Sequence, residues 1–137
     1  MESADLPSRL SLAVGRLNRR LRGAGGGLSH GLLSALATVS KDGPLRLAEL
    51  AQIEQVSAPS TTRLVAELEA KGLVSRRPDP DDGRAVLISV TTAGTDTVLR
   101  VRSARGAMVQ ELLEQLTPEE VAAIEAALPA LERTLEV

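Results

Sequence analysis

Between positions 47 and 90 the spacing of apolar residues changes period. Leu47, Leu50 and Ala51 step as on a helix, and Val56 closes the stretch that follows them. Ser57 comes next, with a side-chain oxygen able to accept from an unpaired amide at a helix start. Pro59 falls in the first turn, where a missing N–H costs no helix hydrogen bond. A second helix is therefore predicted over about 57–71. It ends at Lys71-Gly72, which sets a cation at the carbonyl end of the dipole and then a glycine free to form a left-handed cap. Beyond it, Leu73 to Arg77 and Ala85 to Val90 read as strands, the second alternating Val86, Ile88 and Val90 on one face. The segment 78–83 between them, Pro-Asp-Pro-Asp-Asp-Gly, is turn chemistry. Two helices joined by a tight turn and followed by a hairpin make a winged helix-turn-helix, with a wing at about 73–90, and this shape fits a DNA groove.

The flanks read as helical. Residues 5–22 place Leu6, Leu10, Val14, Leu17 and Leu21 on one stripe, with Arg9, Arg16, Arg19, Arg20 and Arg22 mostly off it. Gly-Ala-Gly-Gly-Gly at 23–27 ends that helix and reads as a flexible connector. Ser29 can cap a further helix to about Ser40, where Lys41-Asp42-Gly43-Pro44 forms a turn. After the wing, Thr91 to Gln115 is a long helix carrying Val98, Val101, Val109 and Leu112, with Leu116 just past its end. Thr117-Pro118-Glu119-Glu120 is a capping box. The helix it starts carries Val121, Ile124, Leu128, Leu131 and Leu135 at steps of three and four, the spacing of a seam against other helices. Pro129 interrupts this helix and is expected to bend it.

The expected architecture is mainly α with a small β-hairpin wing (α+β), as one domain over 1–137. The winged helix-turn-helix spans 29–104, and residues 1–28 and 105–137 supply dimerisation helices. Leu6, Leu10, Leu112, Leu116, Val121, Ile124, Leu128 and Leu131 are the expected interface. Packing of these stripes within one chain is the alternative. A twin is favoured because a chain with a protruding wing offers no other place to bury two seams. A two-fold axis would also set two recognition helices about one DNA turn, roughly 34 Å, apart.

Composition narrows the chemistry. With 137 residues and 43% apolar content the chain can bury a core. No apolar run is long enough to cross a bilayer and the N-terminus lacks signal-peptide order, so a cytoplasmic protein is expected. Without cysteine there are no disulfides and no thiolate metal sites. Phe, Tyr and Trp are absent too, which removes base stacking as a binding device. The net charge of −2 hides a polarity. Up to residue 108, 15 Lys and Arg face 11 Asp and Glu; from 109 onward Arg133 alone faces seven glutamates.

Helical angle picks out the groove-facing side of the second helix. If Thr61, Leu64, Val65 and Leu68 point inward, Pro59, Arg63 and Ala66 point most directly away, with Ser60 and Thr62 on the flanks. Arg63 is the one long donor there and could read a guanine edge through two hydrogen bonds, while Ser60 and Thr62 can serve bases or phosphates. The alternative for Arg63 is an internal pair with a carboxylate. Ser57 is a cap that could also meet a phosphate. At the wing, Arg84 fits the narrow minor groove, Asp82 would orient its guanidinium, and Arg76 and Arg77 would meet phosphates. Asp79, Asp81 and Asp82 do not make a calcium loop, because the sixth place is Arg84 and the twelfth is Val90. His30 is the single histidine, which leaves zinc sites and His-based catalytic pairs unsupported, so no metal, cofactor or enzymatic activity is expected.

The pattern as a whole resembles the MarR family of bacterial transcription regulators. The likeness rests on two leading helices, Leu-Ala-Glu-Leu-Ala at 47–51, Thr62-Arg63-Leu64-Val65-Ala66-Glu67-Leu68-Glu69-Ala70-Lys71-Gly72-Leu73-Val74, and a wing with Asp82, Arg84, Val90, Thr91 and Gly94. It implies a homodimer with a winged helix on each side, double-stranded DNA as partner, and repression relieved by a small lipophilic or phenolic anion. An effector pocket is expected where the DNA module meets the helical layer, with walls from Leu17, Leu21, Leu32, Leu36 and Val98 and charge from Arg16 or Arg20. A winged-helix interaction module without a specific DNA site is the competing reading. It draws on the zero charge sum of residues 57–90, where Arg63, Lys71, Arg76, Arg77 and Arg84 are matched by Glu67, Glu69, Asp79, Asp81 and Asp82.

Overall fold

The computed structural model describes residues 5–135. Helix α1 (Leu6–Leu21) passes through a 3-10 turn (Arg22–Ala24) to α2 (His30–Asp42), then to a two-residue strand β1 (Leu45–Arg46) and helix α3 (Leu47–Glu54). Helix α4 (Ala58–Ala70) follows, then the wing strands β2 (Val74–Asp79) and β3 (Asp82–Val90), the long α5 (Thr92–Leu113) and α6 (Pro118–Thr134). The fold is mainly helical with a small antiparallel sheet, ordered β1-β3-β2.

Strand β1 escaped the sequence reading because two residues show no period. Leu45 pairs with Ile88 and Arg46 with Leu87, which makes β3 the central strand and anchors the wing to the chain ahead of α3. One core fills the module. Leu36, Leu50, Leu68 and Ile88 are fully buried, joined by Val39, Val65, Leu73, Val74 and Val98. Aliphatic side chains form it without any aromatic ring.

The glycine segment 23–27 is a folded turn, and the flexible connector expected there is corrected. The Gly25 N–H donates to the Arg22 carbonyl at 3.1 Å and the Leu28 N–H to the Gly25 carbonyl at 3.0 Å, with Ala24 and Gly25 buried. Pro129 does not end α6, which runs through it to Thr134. The cap assignments hold: Ser29 accepts from the Leu32 N–H, Ser57 from the Ser60 N–H, and Thr117 and Glu120 form the reciprocal box; Thr91 also caps α5, accepting from the Gly94 N–H.

The outer helices stand apart from this core. Neither α1 nor α6 contains a buried residue. Leu6 is 61% exposed, and Leu10, Ile124, Leu128 and Leu131 are all exposed as well. Leu112, Leu116 and Val121 are partly buried.

Candidate nucleic-acid interface

The recognition helix α4 is held at both ends. At its start the Ser57 Oγ accepts from the Ser60 N–H at 3.2 Å, which satisfies one of the orphan amides of the first turn. At its end Gly72, at φ 75°, lets the Gly72 N–H reach the Glu69 carbonyl and the Leu73 N–H reach the Leu68 carbonyl, a Schellman closure that turns Leu73 into the core.

Thr91 and Gly94, quoted above as pattern, have a physical role at this same corner. The Thr91 hydroxyl donates to the Gly72 carbonyl at 2.7 Å, and the Thr91 N–H donates to the Leu73 carbonyl at 3.1 Å. A Cβ on Gly94 would lie 2.1 Å from the Leu73 carbonyl oxygen, so only glycine admits this contact. The C-terminus of the recognition helix and the N-terminus of α5 are thereby fastened together.

Helix α4 turns Thr61, Val65 and Leu68 inward with Leu64 partly covered, as the angular reading required. Pro59, Thr62, Arg63 and Ala66 are exposed and Ser60 is half-buried. The Thr62 hydroxyl donates to the Ala58 carbonyl at 3.0 Å, leaving its lone pairs outward. Among the described residues Arg63 has no carboxylate partner; its Nη2 donates to the Ser60 Oγ at 3.2 Å, and the Ser57 hydroxyl donates to the same oxygen at 2.9 Å. This chain steadies the guanidinium over the first turn and leaves its other donors open.

On the wing, Arg77 and Arg84 are exposed. The Arg76 Nε donates to Glu69 Oε1 at 3.2 Å and ties β2 to the recognition helix, a role that the phosphate reading of Arg76 had overlooked. Asp82 is also corrected: its Oδ1 accepts from the backbone N–H of Arg84 at 3.1 Å, so it shapes the turn and does not pair with the guanidinium.

Arg46 and Asp79 were missed as a pair, since 33 residues separate them. The Arg46 Nε donates to Asp79 Oδ2 at 2.9 Å, Nη2 donates to the same oxygen, and Asp79 Oδ1 accepts from the Asp81 N–H at 2.9 Å. Asp79 is only 6% exposed. The amide of Asp81 and the guanidinium of Arg46 hold its carboxyl below the usual carboxylate range.

The expected effector walls do not assemble. Leu32 and Leu36, four residues apart on one face of α2, belong to the core, and α1, with Arg16, Leu17 and Arg20, is exposed. Leu21 is partly buried. A cavity of about 450 Å³ opens instead on the next face of α2. His30, Ser34, Thr38 and Lys41 line it opposite Val98, Val101, Arg102 and Arg105 of α5, so Val98 alone carries over from the expected set. The Arg105 Nε is buried without a hydrogen-bond partner. Among the described residues no cluster of His, Cys, Asp and Glu could hold a metal, and no helix is long and apolar enough to cross a membrane.

Comparison with known proteins fits this geometry. The model of the MarR family matches residues 28–86. An HTH-type transcriptional regulator of Mycobacterium tuberculosis, MT0903.1, is 43% identical over 119 residues, covering 85% of this chain and 83% of its own length. The chain belongs to the MarR family. The Bacillus subtilis transcriptional repressor MdtR is 30% identical over 95 residues, covering 69% of this chain and 61% of its own. The crystal structure of RV1404 from Mycobacterium tuberculosis superposes with a TM-score of 0.83 at 27% identity, covering 98% of this chain and 95% of that one. This MarR-family chain is a winged-helix, DNA-binding transcription regulator and not an enzyme.

Proposed function

We propose that the chain acts as a homodimer which represses transcription from a pseudo-palindromic operator and is released by a small lipophilic anion. The observation that carries this is the uncovered apolar face of α1 and α6, where Leu6, Leu10, Ile124, Leu128 and Leu131 stay exposed although they repeat at seam spacing. A second copy covers such faces and sets two recognition helices on one side of a duplex, with half-sites about 34 Å apart. In each half Ser57, Ser60 and Thr62 serve phosphates or base edges, Pro59 packs on the groove wall, Arg63 reads a guanine, and Arg77 and Arg84 follow the backbone and minor groove. Repression is supported by the similarity to MdtR, named as a repressor.

The α2/α5 cavity supports the effector. Its apolar wall from Leu33, Ala37, Val98 and Val101 suits a lipophilic body, and Lys41, Arg102 and Arg105 suit a carboxylate. Helix α5 also leads to the corner at Thr91, so an occupant that shifts α5 shifts the recognition helix.

Sedimentation combined with a salt titration on duplex DNA tests the proposal. A two-chain species whose affinity falls steeply with salt is expected, and a monomer, or a chain that ignores duplexes at low salt, overturns it. Thermal-shift assays with benzoate and its hydroxylated forms should raise the unfolding midpoint, and Arg105→Gln should abolish that rise. The interaction-module reading rests on the neutral sum of residues 57–90 and predicts no salt-dependent duplex binding.

A further inference from the structure

The outer part of the wing has almost no apolar attachment to the body. From Pro78 to Arg84 every residue except Asp79 is exposed, and the pairing of β2 with β3 slips between Pro78 and Asp79. Asp79 is therefore the point where the tip is tied down. One carboxylate oxygen takes two donors from Arg46, and the other takes the Asp81 N–H that starts the turn. Arg46 is itself fixed at the N-terminus of α3, the first helix of the helix-turn-helix, where its backbone N–H donates to Glu49 Oε1 at 3.0 Å. It is fixed on the sheet as well, through its pairing with Leu87. A continuous polar path thus runs from α3 through Arg46 and Asp79 to the turn, where Asp82 Oδ1 holds the Arg84 N–H.

We propose that Arg46 and Asp79 are positioning residues for DNA binding: their ion pair sets the angle of the wing against the helix-turn-helix and so delivers Arg84 to the minor groove beside the site read by α4. This rests on the DNA contact assigned to Arg84 above. Beyond the Arg76–Glu69 contact the hairpin tip is held by its two strands and one ion pair, so it can pivot when that pair opens, and a pivot at its base moves the guanidinium at its end furthest. The pair has the properties of an aiming device. Its acceptor is largely buried, while the Arg46 side chain, 44% exposed, approaches from a different element. Two donors on one oxygen define a direction as well as a distance.

The test is a double-mutant cycle measured on a duplex that the wild-type chain selects from a random-sequence pool. Arg84→Ala is expected to weaken binding at least about fivefold. Asp79→Asn in the wild-type background should weaken it by a similar factor. In the Arg84→Ala background Asp79→Asn should change nothing further, because the residue it aims is gone. Hydroxyl-radical footprints should lose minor-groove protection at the flanks and keep the central protection given by α4. Arg46→Gln, at a half-exposed position, should reproduce Asp79→Asn and serves as the second variant if that one does not fold. Equal losses from Asp79→Asn or Arg46→Gln with and without Arg84, or no loss at all, overturn the clamp. If the pool yields no selected duplex, or Arg84→Ala binds as wild type does, the DNA-contact reading itself fails, and the clamp with it.

Discussion

The winged module and the two outer helices are written in the same amphipathic code and resolve it differently. In the module, the stripes of α2, α3 and α4 meet one another and β3 around Leu36, Leu50, Leu68 and Ile88, and the core closes within one chain. In α1 and α6 the stripes are just as regular, yet no residue of either helix is buried. Apolar periodicity therefore states that a face must be covered and does not state by what. The short helices of the module satisfy theirs locally because tight turns fold them back on each other. The outer helices extend from a common body and face outward.

The contrast can be broken most severely in the core. Leu50→Ala should cost about 2–5 kcal/mol of folding stability, read by chemical denaturation, because the fully buried site cannot collapse around the loss. A small effect would mean that the module is not the rigid half of the molecule. Next in size, Arg63→Ala should leave the unfolding midpoint unchanged and weaken DNA binding by about 1–3 kcal/mol with relaxed sequence preference. A uniform loss on every sequence would reassign Arg63 to phosphate.

Leu10→Asp and Leu128→Asp sharpen the comparison from the other side. Each should reduce the sedimenting species to one chain while changing the intrinsic stability of the module by no more than about 0.5 kcal/mol, since neither residue touches the core. A collapse of helical signal would instead tie the outer helices to the module's own fold. The smallest expected effect is that of acid. Asp79 has a carboxyl held below its ordinary value in the folded state, so the stability it contributes is full above that ordinary value and fades as pH falls through the lowered one. Unfolding midpoints followed into the acid range should fall less steeply for Asp79→Asn than for the wild type.

Much of the site was legible along the chain because it depends on local rules. Caps at Ser29, Ser57 and Thr117 act within three residues, Gly72 ends its helix by its own backbone freedom, and the outward face of α4 follows from its helical angle. What stayed hidden involves contacts across long separations or elements too short to show a period. Strand β1 has two residues and exists only because β3 lies beside it. Arg46 and Asp79 are two charges among many until folding brings them together, and Arg76 reads as a free cation until Glu69 is found next to it. The cavity was misplaced for a related reason. Leu32 and Leu36 looked suited to a binding wall because they are apolar, and for that same reason the core took them.

By itself the sequence determined which segments coil, where they stop, which side of α4 is free and that the chain packs without cysteine or aromatic residues. Tertiary structure decided which apolar faces are covered within the chain, which carboxylates are occupied by arginines, and how the wing is held. The first set follows from backbone hydrogen bonding and side-chain period, which act over a few residues. The second depends on which surfaces meet, and charges and apolar faces are selective only once distance and burial have been set.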